Sequence, residues 1–135
     1  MIGTADVGDP AVTSEVLAVF ERYEDALVAG DAATLDAMFW DSPDTIRFGV
    51  ADRQRGFGEL AAWRATQGPL PGRERRQTHV ATFGADLAVV TTLFSYPGRP
   101  FEGRQSQTWV RLAEGWRIVS AHVSETPVPP DALDG

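Results

Sequence analysis

Tyr23, Arg47, Gln105, Gln107 and His122 are the side chains whose types and settings point to chemistry. Tyr23 shares a helical face with Phe20 and Leu27, so its phenol enters the interior. There it either bonds a backbone carbonyl as a core tyrosine or donates a proton or hydrogen bond to a substrate carbonyl or departing nitrogen. Arg47 stands between Ile46 and Phe48 on a short strand, and alternation turns its side chain opposite theirs. A guanidinium cannot sit unpaired in a dry interior. Arg47 therefore lies at the surface, pairs with Asp41 or Asp44, or binds an anionic ligand, a carboxylate above all.

Gln105 and Gln107 are two apart on a long strand and share a face, where glutamine is a poor choice unless its hydrogen bonds are met. They orient the N–H and C=O groups of a ligand or face solvent, and Gln107 is the better candidate for the first role. His122, near the end of the last strand, is a general base or a structural residue. Trp40, Phe48 and Trp63 are candidate walls of a pocket, and Arg64 and Arg104 are further anion contacts.

Composition narrows the chemistry. The chain has no cysteine, which removes disulfides, thiolate nucleophiles and Cys-ligated zinc. Its two histidines, His79 and His122, are far apart, so no metal site is expected. No serine stands in a nucleophile-elbow motif. The net charge of -7 disfavours a nucleic-acid or anionic-membrane binder. All twelve basic residues are arginine, which reflects either a general compositional bias, the commoner cause, or the suitability of that side chain for planar capture of carboxylates. Without a signal peptide or a membrane span in the sequence, the cytoplasm is the expected compartment.

At 135 residues the chain has room for one domain with a hydrophobic core. Residues 1–11 read as a flexible leader. Asp9-Pro10 is a helix start, with Asp as N-cap and Pro at the first helical position. Val12, Val16, Val19, Phe20, Tyr23 and Leu27 then mark an apolar face that Gly30 ends. Asp31 caps a second helix with Leu35, Met38 and Phe39 inward, and Pro43 follows it. Thr45 to Gly49 is a short strand with its return by Arg55, and Gly56 to Gln67 a third helix. After the punctuation of Gly68 to Gly72 come four long strands: Arg73–Phe83, Asp86–Tyr96, Arg104–Leu112 and Trp116–Ser124.

With Leu112 opposite Trp116, counting outward places His122 opposite Ser106 and Gln107 near Ala121. A change of one residue in the turn reverses which of Gln107 and His122 faces a pocket. Residues 126–135, rich in proline, read as a tail that runs over the surface or packs against a neighbour. Helices first and a meander last predict an α+β fold: a strongly bent antiparallel sheet with three helices on its concave side and a pocket between them.

The order of elements, ending in W-R-I-V-x-x-H-V-S, resembles the SnoaL-like, nuclear transport factor two-like superfamily, over roughly residues 12–125. Four segments are similar to one subgroup: F-E-R-Y-E-x-A-L around Tyr23, F-W-D-S-P-D-T-I-R-F-G around Arg47, G-R-Q-S-Q-T-W-V-R at Gly103 and G-W-R-I-V-S-A-H-V-S at Gly115. That subgroup comprises the small proteins of oxalurate and cyanurate breakdown, including the dicarboxyurea amidohydrolase of cyanurate catabolism. The chain departs from its pattern at Ala62-Trp63-Arg64, where a phenylalanine is expected before the arginine.

The resemblance implies a homodimer through the outer sheet face, no metal or organic cofactor, and an essential Tyr and Arg, which fall here on Tyr23 and Arg47. It implies a hydrolase for an N-carboxylated urea or similar dicarboxylated amide. Two rival functions remain: a cofactor-free isomerase, cyclase or dehydratase using Asp41 or His122 with Tyr23, and a non-catalytic dimeric module holding an anion.

Overall fold

The computed structural model describes residues 1–128. Helix α1 spans Pro10–Ala29. The Asp9 carboxylate accepts from the N–H groups of Ala11 and Val12, and Gly30, at φ 69°, closes the far end in the left-handed conformation. Asp31 immediately starts α2 (Ala32–Ala37), accepting from the Thr34 N–H. Then follow β1 (Ile46–Phe48), β2 (Arg53–Arg55), α3 (Phe57–Arg64), β3 (Glu74–Phe83), β4 (Leu87–Ser95), β5 (Phe101–Leu112) and β6 (Gly115–Pro127).

The strands form one six-stranded curved sheet in the order β2-β1-β6-β5-β4-β3. The four long strands meander as expected, but the sheet is mixed: β1 lies parallel to β6, with Arg47 beside Ala121. A strand that precedes the meander and docks on its last member has no hairpin to force it antiparallel. The helices cover the concave face. Val16, Phe20 and Tyr23 of α1, Leu35 of α2 and Leu60 of α3 close over Val90, Trp109 and Ile118, all of them buried.

The β5–β6 hairpin fixes which face each strand residue takes. Its turn is one residue tighter than expected, with Leu112 opposite Gly115 and Arg111 opposite Trp116. An irregularity then places Thr108 opposite Ser120 and Trp109 opposite Ile118, so that Val119 is the extra residue. Beyond this bulge Ser106 meets His122 and Gln107 meets Ala121, the pairing reached by simple counting. Gln105, Gln107 and Trp109 therefore look inward, while Arg104, Ser106 and His122 look outward.

Contacts extend past residues 12–125 at both ends. Within the leader, Val7 bridges to Phe83, and the Gly8 N–H donates to the Thr82 carbonyl. It thereby satisfies part of the edge that β3 would otherwise expose. At the other end, Thr126 and Pro127 belong to β6, opposite Glu102 and Phe101. The remainder of the expected tail, 129–135, lies outside the described residues.

Candidate active site

Where the helices diverge from the sheet they leave a cavity of about 180 Å³. Its polar lining comes from separate elements: Tyr23 from α1, Arg47 from β1, Arg64 from α3, Arg73 just before β3, and Gln105 from β5. Trp63, Leu35, Phe94 and Val123 supply apolar wall.

Tyr23 reaches this cavity because it sits on the buried stripe of α1, three residues after Phe20. Its ring is held edge-on by Phe39 and by Trp109, at centroid distances of 6.3 and 6.4 Å. The hydroxyl has no hydrogen-bond partner among the described residues, so the core-tyrosine reading, with a bond to a backbone carbonyl, is not what the fold builds. Burial pushes its pKa above the usual phenol value, against the downward pull of Arg64, Arg47 and Arg73. At neutral pH the group is a protonated donor.

Arg47 turns inward, as alternation requires, and this rotates its neighbour Phe48 outward. Its acid partner is Asp52, in the turn between β1 and β2, rather than Asp41 or Asp44. Arg47 Nη1 donates to Asp52 Oδ1 at 2.6 Å and to Gln54 Oε1 at 2.9 Å, and the guanidinium lies 4.0 Å above the Trp63 ring. Among the described residues Nε and Nη2 have no acceptor, so the acid and the amide occupy one corner of the guanidinium and leave the rest for a ligand.

Arg64 is the more constrained cation. Its side chain is 5% exposed, its Nε donates to Asp36 at 2.8 Å, and the rings of Phe39 and Trp63 flank it. Its Nη2 is buried and has no partner among the described residues. An unmet buried donor is rare in native proteins, and its residue lines the cavity.

Arg73, by contrast, is spent on structure. It grips Glu24 with Nε at 3.0 Å and Nη2 at 2.6 Å, donates also to Gln105 Oε1 at 3.1 Å, and stacks on Phe94. Burial alone would lower the Arg73 pKa, and the bonds to Glu24 more than offset that, holding it above its ordinary value. Gln105 is thereby fixed with its carbonyl oxygen toward Arg73.

Several expected site residues lie elsewhere. Phe48 is exposed on the opposite side of β1, edge-on to His122 at 6.0 Å. His122 is itself exposed on the outer face, because its register partner is Ser106 and not an inward glutamine. Arg104, on the same face, pairs with Glu102 at 3.0 Å. Trp40 does not line this cavity and instead borders a second depression with Phe39, Asp41 and Arg117. Gln107 is fully buried below the cavity, where its Oε1 accepts from the Trp109 indole at 3.0 Å. Among the described residues no cluster of three metal-ligating side chains occurs.

Glu24, Asp52, Asp36 and Arg73 were not anticipated. The signal for Glu24 was present: it is four residues after Phe20 and directly follows Tyr23, so it falls on the apolar stripe of α1, where an acid must have a buried partner.

Comparison with known proteins places this architecture. The AtzH-like family model matches residues 5–128. A structure from Pectobacterium atrosepticum, a protein of unknown function from the DUF3225 family, is 41% identical, covers 93% of this chain and 99% of its own, and superposes with a TM-score of 0.90. A cystatin-like fold protein from Burkholderia xenovorans is 44% identical over 91% of this chain and 98% of its own, with a TM-score of 0.88. An NTF2-like protein of unknown function from Pseudomonas putida, at 20% identity, 92% coverage of both chains and a TM-score of 0.72, shares the fold. No curated protein matches. No helix among the described residues is long and apolar enough to cross a membrane.

Proposed function

The chain belongs to the AtzH-like family of the NTF2-like, cystatin-like fold, and on that premise we propose that it is a cofactor-free amidohydrolase for a small N-carboxylated urea or similar dicarboxylated amide. The observation that carries this reading is one cavity lined by Arg64, which keeps a buried nitrogen without a partner, by the free edge of Arg47 and by the unpartnered Tyr23 hydroxyl. Three donor groups converge on one small space, and a carboxylated carbonyl compound supplies acceptors for all of them. The name AtzH itself belongs to a protein associated with cyanurate catabolism, which agrees with that substrate class.

In this scheme Arg47 binds a terminal carboxylate and fixes the substrate against Tyr23. The phenol, protonated because of its burial, hydrogen-bonds the scissile carbonyl or protonates the departing nitrogen. The donors are preorganised by groups outside the cavity: Asp52 and Gln54 hold Arg47, Asp36 holds Arg64, and Phe39 and Trp109 hold the Tyr23 ring. Fixed dipoles of this kind need no reorganisation when charge develops on the carbonyl oxygen. The isomerase reading loses the partners proposed for Tyr23, since Asp41 and His122 lie outside the cavity. We place the reaction in the cytoplasm and the dimer contact on the outer sheet face, where Phe48 is exposed.

Mass-spectrometric turnover of a panel of carboxylated ureas, oxalurate and related amides tests the reading. Product from the wild type, lost in Tyr23→Phe and Arg47→Ala with folding intact, supports it. Arg47-dependent stabilisation by dicarboxylates without any turnover would replace it with a binding module.

A further inference from the structure

Hydrolysis needs a group that takes a proton from water, and the donors described above cannot. Among the described residues lining the cavity, Glu125 is the single carboxylate, and no histidine lines it. The other acids near the site are committed: Asp52 to Arg47, Asp36 to Arg64, and Glu24 to Arg73. We propose that Glu125 is the general base that activates the attacking water, a role that rests on the amidohydrolase reading.

The sheet register puts Glu125 in position. Val123 stands opposite Gln105, and Glu125, two residues on, faces the same side opposite Gly103. Gly103 has no side chain to fill the space. The Phe94 ring fills that space instead, 2.1 Å from where a Cβ would lie, and packs beside the Glu125 position. Glu125 is thus one cross-strand step from Gln105 and closer to solvent, its side chain 15% exposed where Gln105 is 4% exposed.

Its oxygens are also available. The carboxylate accepts no hydrogen bond from a described residue, and its ion pair with Arg99 spans 3.7 Å to a side chain that is 54% exposed. A contact that long and that wet contributes little and does not occupy the lone pairs. An acid on an inward strand position, lacking a tight partner while every neighbouring acid has one, is set apart from the structural carboxylates.

The step balances without a co-reactant. Glu125 takes one proton from water as the oxygen forms a bond to the carbonyl carbon. The C–N bond breaks and the nitrogen takes the Tyr23 proton. The proton on Glu125 then returns to the phenolate through solvent, and both residues end as they began. Tyr23 is the acid and Glu125 the base, on α1 and β6, with the substrate between them.

The test compares Glu125→Gln, Glu125→Asp, Glu125→Ala and Arg99→Ala on whichever panel amide the wild type hydrolyses, with malonate as binding probe. Loss of the base is expected to lower kcat in Glu125→Gln by about 10²–10⁴ fold, with KM and malonate-induced thermal stabilisation retained. Glu125→Asp should give an intermediate rate, added formate should restore part of the Glu125→Ala rate, and Arg99→Ala should stay within about threefold of wild type. A Glu125→Gln rate within tenfold of wild type overturns the proposal while leaving the amidohydrolase reading intact. An equal fall in Arg99→Ala, or a Glu125→Ala variant that formate does not rescue, assigns Glu125 a structural role and also overturns it. A wild type that turns over nothing while binding malonate overturns the amidohydrolase reading, and the base role with it.

Discussion

Replacing Arg64 by methionine should leave stability nearly unchanged while removing the site's affinity for anions. The balance can be worked from its contacts. The unmet Nη2 is a buried donor that is unfavourable by about 1–3 kcal/mol, and the bond from Nε to Asp36 at 2.8 Å is favourable by about 1.5–3 kcal/mol. Removing both nearly cancels, because Asp36 is 28% exposed and can be hydrated, and methionine fills most of the vacated volume between Phe39 and Trp63. The net change should be under about 1.5 kcal/mol by that accounting.

Arg73→Met is the control, since Glu24, 3% exposed, would lose its bidentate partner and keep only Arg75 Nη1 at 3.3 Å and the Gln105 amide at 3.4 Å. Stranding a buried charge costs about 3–5 kcal/mol. With a urea slope of about 1–3 kcal/mol per molar, that loss moves the midpoint down by about 2 M. Urea denaturation with and without malonate reads both quantities. Malonate should raise the wild-type midpoint and leave Arg64→Met unmoved. A loss above about 3 kcal/mol in Arg64→Met would make it a structural ion pair of the kind Arg73 forms, and would refute the reasoning.

Other substitutions probe how the cavity is held. Gly49→Ala puts a Cβ 2.6 Å from the Asp52 carboxylate and 2.8 Å from Arg47 Nη1, so it should displace that pair and weaken malonate binding by about tenfold, or about 1.4 kcal/mol, in a calorimetric titration. Gly103→Ala drives the Phe94 ring toward Arg73 and should lower stability by about 1–3 kcal/mol through overpacking, as read by chemical denaturation. Because burial raises the Tyr23 pKa, the folded state holds its proton after the unfolded chain has released it near pH 10, so stability should fall as pH rises past that point. Tyr23→Phe should flatten this alkaline decline in a series of urea midpoints, and an unchanged slope would mean that the phenol is not desolvated.

Much of this fold is readable from the chain, for reasons that particular residues make plain. The i, i+3, i+4 run from Val16 to Leu27 and the caps Asp9, Gly30 and Asp31 each act within a few residues, and each is used as local rules require. Period places Tyr23 on the buried stripe of α1 and turns Arg47 opposite Ile46 and Phe48, whereas the inward direction of β1 and the arrival of Gln105 rather than Gln107 at the cavity come from the fold. Period-two parity places Phe48 and His122 outside the cavity: an inward Arg47 excludes Phe48, and an inward Gln107 excludes His122 across the pairing with Ser106. The parallel placement of β1, the bulge at Val119 and the Arg73–Glu24 clasp join residues distant in sequence or trade one register shift for another. Those depend on tertiary packing, which local pattern does not encode.

The most direct measurement is a structure of the protein with oxalurate or malonate bound. A ligand in the cavity with one carboxylate oxygen within hydrogen-bond distance of Arg64 Nη2, another on the free edge of Arg47, and an acceptor at the Tyr23 hydroxyl is the predicted result. A ligand bound only on the outer sheet face, or a cavity where Arg64 Nη2 keeps no partner at saturating ligand, would contradict the account.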